Sequence, residues 1–130
     1  MVFNSRSMGN KTFGICEFLK EQRCDVCFIT EAWIKLKDES TMAKIRDMGY
    51  SIKLQPRKGS KRGGGCCVVF KPDICIDKCS IQSTYRSFEV LQTTIKSSNN
   101  LFRVSTFYRT GKMSVAEREK FANELDLYLI

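Results

Sequence analysis

A glutamate that directly follows a strongly apolar run is the feature that most constrains this chain. Residues 26–29 (Val-Cys-Phe-Ile) form a near-continuous apolar run, which is typical of a β-strand covered on both faces, and Thr30-Glu31-Ala32-Trp33 follows it. A carboxylate just past a buried strand packs poorly in an apolar core, but it is well suited to bind a metal ion. Because open α/β sheets keep their sites at the carboxyl ends of strands, we expect Glu31 to lie at that edge.

Two other strand-like runs also end in polar side chains. Val2 and Phe3 lead into Asn4, and the run that begins at residue 104 ends in Tyr108 and Arg109. Strands that end at a common edge bring their last side chains together. The sequence therefore predicts one polar site built from three segments that are far apart in the chain.

Hydrophobic periodicity predicts alternating helices and strands, followed by antiparallel strands. The predicted helices are about 11–22 (Ile15, Phe18 and Leu19 inward), about 38–48 (capped by Asp38, with Met42 and Ile45 inward), and one that opens at the capping box 114–117 (Phe121, Leu125 and Leu129 on one face). The predicted strands are 25–30, 50–54, 64–70, 74–81, 88–95 and 101–108, with a hairpin signal at 97–100. This order indicates a single domain, or part of one, with the fold class α/β (α+β) sandwich.

The charge balance favours an anionic partner, nucleic acid first. The net charge is +8, and Lys53, Arg57, Lys58, Lys61 and Arg62 form a basic stretch with no acid among them. Pro56, Gly59 and Ser60 make this stretch a loop. Two interpretations stay open at this point: a solvated surface loop, or a loop that contacts phosphates beside a nucleic-acid groove.

The cysteines are expected to be free thiols. The chain has seven of them and no recognisable secretion signal, so an intracellular location is expected. The CxxC at Cys24–Cys27 enters a strand rather than opening a helix, so a redox or zinc site is not expected. We expect small buried apolar roles for Cys16, Cys27, Cys66, Cys75 and Cys79. No apolar stretch is long enough for a transmembrane helix.

Several short motifs, in this order and spacing, resemble a known family. They are Asn4-Ser5-Arg6-Ser7-Met8, Asn10-Lys11-Thr12, the segment 25–33, Gly49-Tyr50, Arg62-Gly63-Gly64-Gly65, Ser87-Phe88-Glu89 and Phe107-Tyr108-Arg109. Together they resemble the endonuclease/exonuclease/phosphatase family, in particular the endonuclease domain of non-LTR (LINE-type) retrotransposons. The similarity covers only the N-terminal half of that domain. The family's Gly-Asp-Phe-Asn and Ser-Asp-His segments do not occur, and the chain has no histidine to serve as the family's base.

The resemblance implies a partial fold of mixed sheets flanked by helices, in which residues 1–130 form the N-terminal part of the domain. It also implies a Mg²⁺-dependent DNA endonuclease that nicks a target site, with Mn²⁺ as an alternative metal. By this resemblance Glu31 is the metal ligand, Asn4 helps to hold the metal, and Tyr108 offers its hydroxyl to the scissile phosphate. The implied nucleic-acid contacts are Arg57, Lys58, Lys61, Arg62 and Arg109. The implied partners are DNA, a C-terminal half and a reverse transcriptase in the parent protein, with no membrane.

Three positions qualify this implication. Thr110-Gly111 stands where the family has prolines after its tyrosine. Glu89 matches a recurrent family position, but a strand-face glutamate is the favoured interpretation. Gly63-Gly64-Gly65 lacks the ending of a phosphate loop and precedes a strand, so a tight turn is expected.

The absent segments predict that the chain alone is inactive. One alternative is a non-catalytic, basic nucleic-acid-binding remnant. Another is a fragment with no independent function, translated from a decayed mobile element. A third is a phosphatase of the same fold that acts on lipid or small phosphates.

Overall fold

Two β-sheets packed face to face, with helices on their outer faces, form the structure. It is a computed structural model, and it describes residues 1–58, 63–79, 85–109 and 111–130. The elements in chain order are β1 (Val2–Asn4), α1 (Thr12–Glu21), β2 (Val26–Thr30), α2 (Glu39–Asp47), β3 (Ser51–Gln55), β4 (Cys66–Phe70), β5 (Cys75–Lys78), β6 (Glu89–Ser97), β7 (Asn100–Tyr108) and α3 (Val115–Leu129).

The first sheet has the strand order β1-β2-β4-β3, and its central strands β2 and β4 are buried on both faces. β1 runs parallel to β2, and β4 runs antiparallel to both β2 and β3. Alternate residues of β4 point to opposite sides. Cys67 and Val69 join the core beneath α1 and α2, while Val68 and Phe70 join the core between the sheets. This double burial explains why the central strands read as apolar runs.

The second sheet is antiparallel, with the order β5-β6-β7. Ile76 and Leu91 point from it into the core between the sheets. Its other face is covered by α3, whose Tyr128 hydroxyl contacts Gln92 and Ser105. An aromatic cluster adds to this contact, in which Phe88 packs edge-on against Phe121 and Tyr128. No residue of α3 is fully buried, so this helix is held mainly by these contacts.

The fold class predicted from the sequence is confirmed, with two sheets and flanking helices in the described residues. The capping box is also confirmed: Ser114 Oγ accepts from the Glu117 N–H, and the Glu117 carboxylate accepts from the Ser114 N–H. β5 ends earlier than predicted, at Lys78, and residues 80–81 lie outside the described part of the chain. No described helix has the length and apolar character needed to cross a bilayer.

Several local predictions are wrong. Phe18 is 42% exposed, because the buried stripe of α1 runs through Thr12, Cys16 and Leu19 and leaves Phe18 at its margin. Asp38 stands at the start of α2, but its carboxylate accepts from the Lys35 N–H and makes no capping bond.

One more prediction of burial is wrong at the margin of the fold. Cys75 is exposed, because Ile76 next to it takes the inward-facing position of the edge strand β5. Leu129, which the sequence places on one face of α3 with Phe121 and Leu125, is 68% exposed at the end of that helix. Free thiols were expected, and all seven cysteines are free.

Candidate metal and nucleic-acid site

Glu31 leaves the regular strand ladder immediately after β2. Thr30 is paired with Cys66, but the next bonds run from the Ala32 N–H to the Gly65 carbonyl (3.1 Å) and from the Trp33 N–H to the Gly64 carbonyl (2.9 Å). Glu31 is thus an extra residue, as in a β-bulge, and its backbone has a left-handed φ of 53°. Bulges re-aim side chains, and this one turns the Glu31 carboxylate out of the sheet.

The segment after β1 holds the backbone of Glu31 from the other side. The Glu31 carbonyl accepts from the Ser7 N–H (2.8 Å) and from Ser5 Oγ (3.0 Å). Ser5 itself is buried. The unfavourable left-handed conformation of a glutamate is therefore fixed by neighbours on both sides, which is how strained residues persist at functional sites.

The Glu31 carboxylate meets Tyr108, the last residue of β7. The Tyr108 hydroxyl donates to Glu31 Oε1 at 2.5 Å, so this bond joins the first sheet to the second. Burial, followed by the hydrogen bond to Glu31, raises the pKa of Tyr108 to about 12. Tyr108 is therefore a protonated hydrogen-bond donor at neutral pH. The structure brings these two predicted site residues together.

Asn4 lies nearby but makes a different contact. It is paired with Thr30 in the ladder between β1 and β2, one residue before Glu31. Its Oδ1 accepts from the Arg6 N–H at 3.2 Å, and within the described residues it makes no hydrogen bond to Glu31. The metal-binding roles of Asn4 and Glu31 and the catalytic role of Tyr108 stay predictions.

An ion pair between Arg57 and Glu89 adjoins this site, with side chains only 20% and 21% exposed. Glu89 Oε1 accepts from Arg57 Nε, and Glu89 Oε2 accepts from the Gly65 N–H at 2.5 Å. The Arg57 guanidinium also lies 6.0 Å from the centre of the Tyr108 ring. Sequence reasoning treated Glu89 as a plain strand-face residue and missed its two partners. The one available signal was its match to the family motif.

The sequence predicts a tight turn at Gly63-Gly64-Gly65, and the structure describes these three glycines as the segment that leads into β4. Gly63, Gly64 and Gly65 all have left-handed φ values, of 89°, 69° and 81°. A Cβ on Gly63 would lie 3.3 Å from Trp33 Nε1. Trp33 is 39% exposed and packs beside this turn.

A groove of about 690 Å³ opens beside Tyr108. Its cationic lining residues are Arg57, Lys58, Arg86, Arg109 and Lys120. Its acidic lining residues, Glu89 and Glu117, are already engaged by Arg57 and by Ser114. The groove thus presents an excess of positive charge. Three of the predicted nucleic-acid residues, Arg57, Lys58 and Arg109, line it, while Lys61 and Arg62 lie outside the described residues.

The donor set fits part of a magnesium shell. Glu31 Oε2 has no protein hydrogen-bond partner in the described chain, since the bond from Tyr108 is to Oε1. Mg²⁺ in phosphoryl-transfer sites uses one or two carboxylates and completes its shell with waters and substrate phosphate. The described residues contain no cluster of three or more His, Cys, Asp or Glu side chains that could form a closed metal site. Glu31, with the Asn4 amide nearby, therefore offers only part of a metal-ligand set and leaves the other coordination positions open.

No protein-family model matches the chain, and no curated protein matches its sequence. Solved structures do match its fold. An AP endonuclease from Archaeoglobus fulgidus is 18% identical, with a TM-score of 0.52 over 72% of this chain and 35% of that one. A D. rerio TDP2 humanized by 14 mutations is 15% identical, with a TM-score of 0.58 over 94% of this chain and 51% of that one. A truncated Caenorhabditis elegans TDP2 is 12% identical, with a TM-score of 0.58 over 97% and 51%.

The chain therefore spans about half or less of the length of the structures it matches. At these identities the similarity concerns the fold alone. In its fold, the chain is similar to part of the enzymes that share the endonuclease/exonuclease/phosphatase architecture.

Proposed function

We propose that this chain is the N-terminal part of a Mg²⁺-dependent DNA endonuclease domain that hydrolyses phosphodiester bonds. The observation that carries the proposal is the pair formed by Glu31 and Tyr108. Their side chains meet at 2.5 Å, and Tyr108 also lines a groove with excess positive charge. A metal-binding carboxylate, a neutral hydroxyl donor and a cationic surface are the groups that phosphodiester hydrolysis requires on the protein side.

Each residue has a distinct task in this proposal. Glu31 holds the metal through the oxygen that Tyr108 leaves free. Tyr108 stays protonated, since its pKa is raised to about 12, and in this proposal its single hydroxyl proton turns from Glu31 Oε1 to a phosphate oxygen when the substrate binds. The groove cations hold the flanking backbone phosphates. A bound Mg²⁺ would supply a Lewis acid and neutralise charge that develops on the phosphate.

The proposal includes inactivity of the chain by itself. The sequence has no histidine, and the described residues contain no cluster of three or more His, Cys, Asp or Glu side chains that could hold a metal ion. Catalytic groups that act as a unit lose several orders of magnitude in rate when some are missing. The remaining groups would come from a C-terminal half. In the more specific form of this proposal, the parent protein is a retrotransposon polyprotein that also carries a reverse transcriptase. The motifs around Glu31 and Gly64 favour this form.

A second candidate function is non-catalytic binding of nucleic acid. The observation that favours it is the groove itself, because both of its acids are engaged and its net charge is positive. Such binding requires neither a metal nor a general base. If the chain instead belonged to a phosphatase of the same fold, the Glu31 and Tyr108 pair could serve it equally, but an extended cationic groove would not be needed.

Salt dependence of DNA binding tests the groove. In the variant Lys58→Ala/Arg109→Ala/Lys120→Ala, log K against log salt should become flatter by about 2.7 if each cation contacts one phosphate. The matched control is Lys20→Ala/Lys37→Ala/Lys44→Ala, which removes the same charge from exposed positions in or beside α1 and α2. Equal slopes for both triple variants would show that the groove cations contact DNA no more than the control cations do. Two unrelated duplexes should respond alike.

Plasmid nicking tests catalysis. The purified chain with Mg²⁺ should not nick supercoiled DNA faster than Glu31→Ala does. Nicking by the wild type that disappears in Glu31→Ala would overturn the claim of inactivity and support the assignment of Glu31.

A further inference from the structure

Three segments that are remote in sequence meet at the glycine turn 63–65. The backbone of Gly64 and Gly65 accepts hydrogen bonds from Trp33 and Ala32, directly after the bulge at Glu31. The N–H of Gly65 donates to Glu89, the first residue of β6 in the other sheet. The turn therefore connects the Glu31 bulge to the second sheet.

Both carboxylate oxygens of Glu89 are used, and each holds a different element. Oε1 pairs with Arg57 at the end of β3, and Oε2 accepts from the Gly65 N–H. Because the two side chains are only about one-fifth exposed, these charge-assisted bonds are shielded from water. A glutamate that merely faced solvent from a strand would need no backbone partner.

Gly64 shows that this geometry is built around the ion pair. A Cβ on Gly64 would lie 2.5 Å from Glu89 Oε1 and would overlap the Arg57 guanidinium. The space that a side chain would occupy is filled by the pair. Arg57 in turn lies over the Tyr108 ring, whose hydroxyl reaches Glu31. Glu89 is thus linked to Glu31 by two routes, one through the turn and one through Arg57 and Tyr108.

We propose that Glu89 is a positioning residue for the site formed by Glu31 and Tyr108. Its carboxylate holds the glycine turn and Arg57, and the turn keeps the bulge in the conformation that aims Glu31 at Tyr108. The role of that site rests on the proposed function above. The positioning itself is a property of the folded chain and is measurable without metal or DNA.

Amide hydrogen exchange, followed by NMR, tests the positioning. In Glu89→Ala the amides of Ala32 and Trp33 should exchange about tenfold faster or more, relative to the amides of Val68 and Val69, because the turn that accepts their bonds loses its anchor. Glu89→Gln should show a smaller change, since its amide oxygen still accepts from Gly65. If Glu89→Ala does not fold, the exchange rates of Glu89→Gln alone decide the test. The control Asp77→Asn breaks an exposed ion pair with Lys96 in the same sheet and should leave all four amides unchanged.

Two results would overturn the proposal. One is unchanged exchange at Ala32 and Trp33. The other is an equal rise at all four amides, which would mean that Glu89 only adds to overall stability.

A metal readout separates this proposal from the proposed function. Mn²⁺ should broaden the Glu31 and Ala32 resonances of the wild type, and about tenfold more Mn²⁺ should be needed in Glu89→Gln. If wild type shows no broadening while the exchange result holds, the metal assignment fails and the positioning role stands.

Discussion

The hydroxyl of Tyr108 donates a hydrogen bond of 2.5 Å to the carboxylate of Glu31 across 77 positions of sequence. This bond connects the end of β2 in one sheet with the end of β7 in the other. Each residue alone is an ordinary polar side chain at a strand end. Their contact makes the edge of the sandwich a single polar site.

This contact should be measurable as a coupling free energy. Tyr108→Phe and Glu31→Gln should each lower the free energy of unfolding, and the double-mutant cycle should give about 1 kcal/mol of coupling, because a hydrogen bond to a charged group is stronger than a neutral one. Urea unfolding of the four proteins provides the measurement. The exposed pair Lys96 and Asp77 is the reference cycle, with an expected coupling nearer zero. Equal coupling in both cycles would contradict the importance of the Tyr108 contact.

At position 31, a glycine variant should be more stable than an alanine variant. The Glu31 φ of 53° is left-handed, and this costs a residue with a Cβ about 1 kcal/mol or more. Glu31→Gly should therefore be more stable than Glu31→Ala by about that amount, although both lose the bond to Tyr108. At the exposed position Glu17, inside α1, the order should reverse, with glycine about 1 kcal/mol worse. Thermal or urea unfolding of the four variants gives the sign at each site.

The sequence predicts the elements well because each depends on local patterns. Apolar runs mark β2 and β4, and the capping box marks the start of α3. The placement of Glu31 at a strand end was predictable for the same reason. Its bulge was not, because the bulge depends on bonds to Gly64 and Gly65, which are more than thirty residues away.

The side-chain contacts around the site were also not predictable from local sequence patterns. Pairing of Arg57 with Glu89 joins β3 to β6 across the sandwich, and no local pattern encodes it. The sequence therefore left the basic loop as either solvated or in contact with phosphates, and did not indicate that Arg57 pairs with Glu89. Asp38 shows a related effect at short range, where its carboxylate could serve either α2 or the preceding turn and takes the turn.

Gly64 should tolerate no side chain. Gly64→Ala places a Cβ against the Arg57–Glu89 pair at a left-handed φ of 69°, so we expect a loss of about 2 kcal/mol or more from strain and the broken pair. Gly14→Ala is the matched control, because a Cβ there meets nothing within 4 Å and lies in α1. That control should gain about 0.5–1 kcal/mol. If Gly64→Ala raised the unfolding free energy as Gly14→Ala is expected to do, the assignment of Gly64 would be contradicted.

The cysteines should differ sharply in reactivity. Cys75 is exposed and should react first with a neutral disulfide reagent at pH 8. Burial raises the pKa of Cys27 to about 11 and of Cys66 to about 12, and it also raises the pKa of Cys67. These three thiols should react only when the structure opens. Mass spectrometry of the labelled protein, with Cys75→Ser as the control, checks this order. Rapid labelling of Cys67 in the native protein would contradict the packing between the sheet and the helices.

The docking of α3 should depend on pH through Glu124. Its carboxylate accepts from the backbone N–H groups of Arg86 and Ser87 and from Ser87 Oγ. Desolvation raises the pKa of Glu124, but these bonds outweigh it and leave the pKa below its ordinary value. A depressed folded-state pKa adds stability above the unfolded-state value of about 4.3, and this stability is lost as the pH falls through the folded-state value.

The difference in unfolding free energy between wild type and Glu124→Gln should therefore be largest above about pH 5 and should shrink towards pH 3. No residue of α3 is fully buried, so the loss of this anchor should also weaken the protection of its amides. Glu119→Gln removes an equal charge from an exposed position on the same helix and serves as the control. Urea unfolding from pH 3 to pH 7 provides the comparison. The same pH profile for both variants would show a general charge effect on α3 and would remove Glu124 as its anchor.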